Sequence, residues 1–110
     1  MAEDSMVDLG NTGNISDEDV LAYMSCITSA FAVHVDRELT RFGLWKQFGI
    51  QDQVQQIRIK SSRVLHSFEL RKNGVLTSEE YVNSVGEELD DIINYAVFAR
   101  RIIKGEFDEQ

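Results

Sequence analysis

Two acidic side chains in the last third of the chain have the spacing that brings carboxylates together on a helix. Glu88 and Asp91 are separated by two residues within the stretch VGEELDDIINYAVFARRIIK. At about 100° of rotation per residue they lie one turn apart on one side of a helix, so that their carboxylates can converge. Half-buried carboxylates need a partner, which is either a basic side chain or a bound cation.

Two basic residues are predicted to lie opposite this pair. The helix that carries the acids follows another helix after a short connection, which favours antiparallel packing of the two. Residues equidistant from the turn, centred near Val75, should then lie at similar heights. Lys60 is paired in this way with Asp91, and Arg63 with Glu88. The two bases are also displaced from the apolar stripe of their helix by the same angles as the acids, so we expect two acids to face two bases.

Three stretches have the periodicity of amphipathic helices, at about residues 16–41, 51–72 and 78–104. Their apolar residues recur at steps of three and four. The first stripe contains Val20, Tyr23, Met24, Ile27, Phe31, Val35, Leu39 and Phe42. The second contains Val54, Ile57, Ser61, Val64, Leu65 and Phe68. The third contains Val85, Leu89, Ile92, Ala96, Ala99 and Ile103. The sequence predicts an all-α fold, an antiparallel bundle of three helices with these stripes in its core.

Local signals place the ends of these helices. Ser16 is a candidate N-cap for the first helix, and Thr77 with Glu80 has the spacing of a capping box for the third. Gly74 suits the left-handed conformation that ends a helix. The connection between the first two helices contains two glycines and three aromatic residues. It is predicted to be a packed segment in which Trp45 closes one end of the core.

Composition limits the classes of function. The net charge of −8 disfavours binding to duplex nucleic acid. Apolar residues make up 43% of the chain, as in ordinary globular domains, and no apolar run is long enough to cross a membrane. The single cysteine, Cys26, favours a cytoplasmic protein and is predicted to be a small packed side chain.

The domain organisation is predicted to be simple. We expect residues 1–14 to form a flexible acidic arm, residues 15–105 a single helical domain, and residues 106–110 an acidic tail. A bundle of three helices leaves one apolar face of the third helix uncovered. A second copy of the chain could complete a four-helix core, so we expect a homodimer or a larger homo-oligomer.

The acidic motif resembles that of a known enzyme family. The pattern Glu88-x-x-Asp91 within EELDDIINY is similar to the second metal-binding half-motif of MazG-like nucleoside triphosphate pyrophosphohydrolases. The resemblance is strongest to the nucleotide-modification-associated branch of phages and bacteria, in which a segment like FGIQDQVQQIRIKSSRVLHS precedes one like DDIINYAVFARRI. It covers roughly residues 41–104. It implies a MazG-like fold in which Glu88 and Asp91 hold magnesium, and a metal-activated water that cleaves a nucleoside triphosphate to the monophosphate and pyrophosphate.

The chain departs from this family at the first half-motif. Lys60 and Arg63 stand at the positions where the family has two acids. The four side chains are therefore open to a purely structural interpretation, in which they form an ion-pair cluster that fixes the register of two helices. The sequence also leaves open whether the chain is an enzyme.

Two functional interpretations keep a nucleotide as the ligand. In one, Lys60 and Arg63 bind the phosphates, the carboxylate pair holds magnesium or contacts the base or sugar, and Trp45 or Tyr95 stacks on the base. In the other, the chain is an active magnesium-dependent pyrophosphohydrolase. An alternative from a different class is a small acidic interaction protein, of the kind that phages encode, which binds or inhibits a host protein through its negative surface.

Overall fold

The computed structural model describes residues 15–41 and 43–105 and shows an all-α fold, as predicted. Three helices pack together: α1 is Asp17–Arg41, α2 is Ile50–Lys72 and α3 is Ser78–Ile103, with a 3₁₀ helix at Leu44–Gln47 between α1 and α2. Within these described ranges there is no β-strand, and no helix is both long and apolar enough to span a membrane. The predicted arm at 1–14, the tail at 106–110 and Phe42 lie outside the described residues.

The helix ends follow the predicted capping signals. The backbone N–H of Asp19 donates to Ser16 Oγ over 3.1 Å. The backbone N–H of Thr77 donates to Glu80 Oε1 over 2.9 Å, and the N–H of Glu80 donates to Thr77 Oγ1 over 3.1 Å. Gly74 has a φ of 76°, in the left-handed region that a residue with a side chain rarely adopts. These predictions are confirmed. They could be made from the sequence because each depends on residues within one helical turn.

Helices α2 and α3 form an antiparallel hairpin with the predicted register. Ser67 Oγ lies 3.4 Å from Ser84 Oγ, and the rings of Phe68 and Tyr81 have centroids 6.1 Å apart. Both pairs are equidistant, to within a residue, from the turn at Val75. The register therefore brings the middle of α2, where the two predicted bases lie, opposite the middle of α3.

Helix α1 packs against α3 through its C-terminal half. Ala30 is fully buried, and its carbonyl oxygen accepts a hydrogen bond of 2.8 Å from Asn94 Nδ2. The rings of His34 and Phe98 meet edge to face at 5.1 Å. The small side chain at position 30 lets the two backbones approach, and the buried asparagine satisfies a carbonyl of the neighbouring helix.

The prediction that the apolar stripe of α1 lies in the core is wrong for the single chain. Six members of the stripe are 40–71% exposed: Tyr23, Met24, Ile27, Phe31, Val35 and Leu39. The stripe of α3 is also partly exposed, and the residues that α3 buries are Asp91, Asn94, Phe98 and Ile102. Cys26 is exposed as well, not packed as predicted. The surfaces that the helices bury against each other contain polar and aromatic side chains, which make specific contacts there.

Candidate functional site

Five charged side chains from all three helices meet at the middle of the hairpin, and we call them the charged cluster: Arg37, Lys60, Arg63, Glu88 and Asp91. Lys60 Nζ lies 3.0 Å from Asp91 Oδ2, and Arg63 Nη1 lies 3.7 Å from Glu88 Oε1. Both predicted pairs are therefore confirmed. Lys60 Nζ also lies 3.9 Å from Glu88 Oε2, so the ammonium group lies between the two carboxylates.

Arg37 is the member of the charged cluster that the sequence did not predict. Its Nη1 atom lies 2.6 Å from Asp91 Oδ1, so the two side chains form an ion pair. The signal that could have found it is weak. Arg37 lies on the same face of α1 as Ala30 and His34, but no apolar period marks that face, and the stripe pointed elsewhere.

Asp91 is ionised although it is only 5% exposed. Burial by itself raises the pKa of this carboxyl group. Hydrogen bonding and Coulombic attraction by Lys60 and Arg37 outweigh the burial, so that the net pKa lies below its ordinary value of 3.8. The two cations therefore hold a buried negative charge in the centre of the molecule.

A cavity of about 300 Å³ opens beside the charged cluster. It lies between the C-terminal half of α1, the 3₁₀ helix, the start of α2 and the middle of α3. Three of the six predicted site residues line it, namely Trp45, Asp91 and Tyr95. Lys60, Arg63 and Glu88 do not line it. Its further polar lining comes from Arg37, Glu38, Arg41, Asp52, Gln55, Gln56 and Asn94.

Aromatic rings form one wall of the cavity. Trp45 is buried and stacks on Phe98, with centroids 4.1 Å apart and an angle of 10° between the rings. The ring of Tyr95 lies perpendicular to that of Phe98 at 6.0 Å. The prediction that Trp45 closes one end of the core is confirmed. Since Phe98 already covers a face of Trp45, the partly exposed Tyr95 offers a cavity ligand the more accessible ring.

A buried glutamine fixes the 3₁₀ helix in this wall. Gln53 is 2% exposed, and its Nε2 atom donates to the carbonyl oxygen of Trp45 over 3.1 Å. This bond ties the connection to the first turns of α2, so that Trp45 is held in place by a polar contact as well as by Phe98. This role could not be predicted from the sequence, because a glutamine near a helix start is usually exposed.

The carboxylate pair does not fit a magnesium ion held by the protein alone. Three basic side chains surround two acidic ones, and the cations lie 2.6–3.9 Å from the carboxylate oxygens. A divalent ion at this place would lie against Lys60 and Arg37. Magnesium also requires about six oxygen ligands, of which this pair could supply only two.

Comparison of this chain with protein-family models, curated proteins and solved structures finds no match. The functional argument therefore depends on the geometry of the charged cluster and of the cavity beside it. Asp91 belongs to both and connects them.

Proposed function

We propose that the protein binds a nucleotide or another nucleoside phosphate in the cavity beside the charged cluster. The observation that carries this proposal is that aromatic and cationic side chains line the same cavity, namely Tyr95 and Trp45 together with Arg37 and Arg41. A nucleotide presents a flat aromatic base and an anionic phosphate, and needs both kinds of contact. The volume of about 300 Å³ lies at the lower end for ligand pockets and suits a ligand of this size.

The arginines of α1 are the first phosphate contacts in this proposal. Arg37 and Arg41 lie one turn apart on the same face of the helix, so both guanidinium groups can reach one anion. Lys60 and Arg63, the phosphate contacts suggested by the sequence, do not line the cavity and are paired with Asp91 and Glu88. Their direct contact with phosphate remains a prediction.

Binding is favoured over hydrolysis by the state of the carboxylates. Glu88 and Asp91, which would have to hold magnesium in a MazG-like pyrophosphohydrolase, are paired with cations of the protein. Magnesium would then come with the phosphates of a triphosphate ligand. The MazG-like fold and a cytoplasmic location remain parts of this proposal that rest on the motif and on the single cysteine.

The test is a thermal-shift and calorimetric titration with nucleoside mono- and triphosphates, each with magnesium and with EDTA. A ligand at a hundred times its Kd stabilises the fold by about 2.7 kcal/mol, which should raise the Tm by roughly 10 °C or more. Inorganic phosphate and free nucleosides serve as controls for the two halves of the ligand. A Tm that no nucleotide changes would remove the proposal, and pyrophosphate release from the same samples would reveal hydrolysis.

A matched pair of arginine variants locates the site. Arg41→Gln removes a charge-assisted contact from the cavity, so we expect about a tenfold loss of nucleotide affinity. Arg100→Gln makes the same change at an exposed position of α3, outside the cavity lining, and should leave the affinity unchanged. Equal losses in both variants, measured by calorimetry, would show that only net charge matters and would place the ligand elsewhere.

A second candidate function follows from the exposed apolar surface. The stripe of α1 is an exposed apolar surface of the kind that other proteins bind. We infer that its first partner is a second copy of this chain, which gives the homodimer suggested by the sequence. An acidic interaction protein that binds a host protein is the alternative, and it predicts a monomer whose stripe is covered only in the presence of that partner.

A further inference from the structure

We propose that Lys60 takes the place of a metal ion between Glu88 and Asp91, so that the protein carries a latent divalent-cation site that its own ammonium group occupies. Lys60 Nζ lies 3.0 Å from Asp91 Oδ2 and 3.9 Å from Glu88 Oε2. A cation that bridged two carboxylates one turn apart on α3 would occupy the same position. This inference goes beyond nucleotide binding, because it concerns the carboxylate pair with or without a ligand.

The oxygens that face Lys60 are distinct from those that face the arginines. Arg37 contacts Asp91 Oδ1, and Arg63 approaches Glu88 Oε1. Asp91 Oδ2 and Glu88 Oε2 are the carboxylate oxygens that face the ammonium group of Lys60. Removal of Lys60 would therefore leave two carboxylate oxygens directed at one point without a cation between them.

Because the carboxylates are buried, the ammonium group of Lys60 determines whether another cation can bind between them. The side chains of Lys60 and Glu88 are 15% and 17% exposed, and that of Asp91 is 7% exposed. Glu88 Oε2 is itself buried and has no hydrogen-bond partner among the described residues. An oxygen of this kind binds a cation strongly, because water does not compensate its charge. A divalent ion is excluded as long as Lys60 is present, because like charges cannot share the space.

The test is a titration with Mn²⁺, followed by the electron paramagnetic resonance signal of the free ion. The wild-type protein should show no stoichiometric site. Lys60→Glu adds a third carboxylate from α2 and should bind one Mn²⁺ per chain at least tenfold more tightly than the wild type. Lys60→Gln, which only removes the ammonium group, should show a smaller gain. The gain should disappear in Lys60→Glu/Glu88→Gln.

Lys72→Glu is the matched control, since it makes the same charge change at an exposed position at the end of α2. Circular dichroism checks that each variant is folded. If Lys60→Glu does not fold, the Mn²⁺ affinity of Lys60→Gln is compared with that of Lys72→Gln instead. A variant at position 60 that binds Mn²⁺ no better than its control would overturn the inference. A wild-type site that Glu88→Gln abolishes would overturn it as well.

The nucleotide gives a second, separate arm. If Lys60 replaces the metal, the affinity for a nucleoside monophosphate should change by less than about twofold when EDTA replaces magnesium. A tenfold dependence on magnesium would contradict the inference while leaving nucleotide binding intact. If no nucleotide binds at all, the proposed function fails and the Mn²⁺ titration still decides the role of Lys60.

Discussion

Asp91 is one of two residues, with Arg37, that belong both to the charged cluster and to the lining of the cavity. It contacts Lys60 and Arg37, and it also lines the cavity. An anion that enters the cavity and attracts Arg37 therefore competes with Asp91 for the same guanidinium group. Such competition couples ligand binding to the ion pairs of all three helices.

The lowered pKa of Asp91 predicts a loss of stability in acid. When the folded pKa lies below the unfolded one, the unfolded chain takes up the proton first as the pH falls. The contribution of Asp91 is therefore fully present above its ordinary pKa of 3.8 and is lost as the pH falls through the lower folded value. Urea denaturation at pH 7, 5, 4 and 3 should show the free energy of unfolding decreasing most at the acid end.

Asp91→Asn isolates this contribution. We expect the variant to lose about 2 kcal/mol at pH 7, because Lys60 and Arg37 lose a buried partner, and to show a weaker acid dependence than the wild type. Glu80, whose pKa is lowered by its hydrogen bonds with Thr77, remains in both proteins and does not affect the difference. The exposed Asp36→Asn should change stability by less than about 0.5 kcal/mol. Parallel curves for wild type and Asp91→Asn would contradict the assignment.

At the scale of the elements, two glycines of the hairpin test the turn after α2 and the interior of α3. A Cβ added at Gly74 or at Gly86 would meet nothing within 4 Å, so sterics alone do not separate them. Gly74 has a φ of 76° after α2, whereas Gly86 lies in the interior of α3. Gly74→Ala should therefore destabilise the fold by about 1 kcal/mol, and Gly86→Ala should stabilise it by about 0.5–1 kcal/mol.

Thermal denaturation of the two variants measures these effects. The two Tm values should move in opposite directions, by several degrees each for a domain of this size. If Gly74→Ala leaves the Tm unchanged, the turn between α2 and α3 can adopt another conformation. If Gly86→Ala lowers the Tm, the open face of α3 at this position is covered in solution.

The elements were predictable where they depend on interactions between residues that are close in the sequence. Capping bonds at Ser16 and Thr77 follow from residues within one turn, and antiparallel geometry around one short turn places Lys60 opposite Asp91. The packing of α1 and of the 3₁₀ helix was not predictable in the same way, because a polar side chain contributes to each. Asn94 and Gln53 each bind a backbone carbonyl of another element, and hydrophobic periodicity carries no information about such contacts.

The candidate site was predictable to the same extent. The four charges of the hairpin were found because α2 and α3 are neighbours in the chain. Arg37 and Arg41 were missed, since their position depends on how α1 packs. The cavity was missed for the same reason, and only Trp45, Tyr95 and Asp91 among the predicted residues line it.

At the scale of the whole molecule, the apolar stripe of α1 is an extended surface that the other described residues leave uncovered. Phe31 and Leu39 are 59% and 70% exposed, two turns apart on the same side of the helix. Contiguous apolar surface of this kind is costly in water and usually marks an interface. Two antiparallel copies of α1 could cover each other, which is an arrangement compatible with a two-fold dimer.

The dimer prediction is tested by light scattering after size-exclusion chromatography. We expect a mass near twice the 12.5 kDa of one chain for the wild type, and a monomer for the double variant Phe31→Lys/Leu39→Lys, because buried charges oppose association. Ser25→Lys adds a lysine at an exposed position of α1 away from the stripe and should remain a dimer. A wild-type monomer at every concentration would instead favour a different protein partner. Arg37 and Arg41 lie on the same helix as the stripe. If the nucleotide affinity falls when the double variant dissociates the dimer, the cavity depends on the dimer.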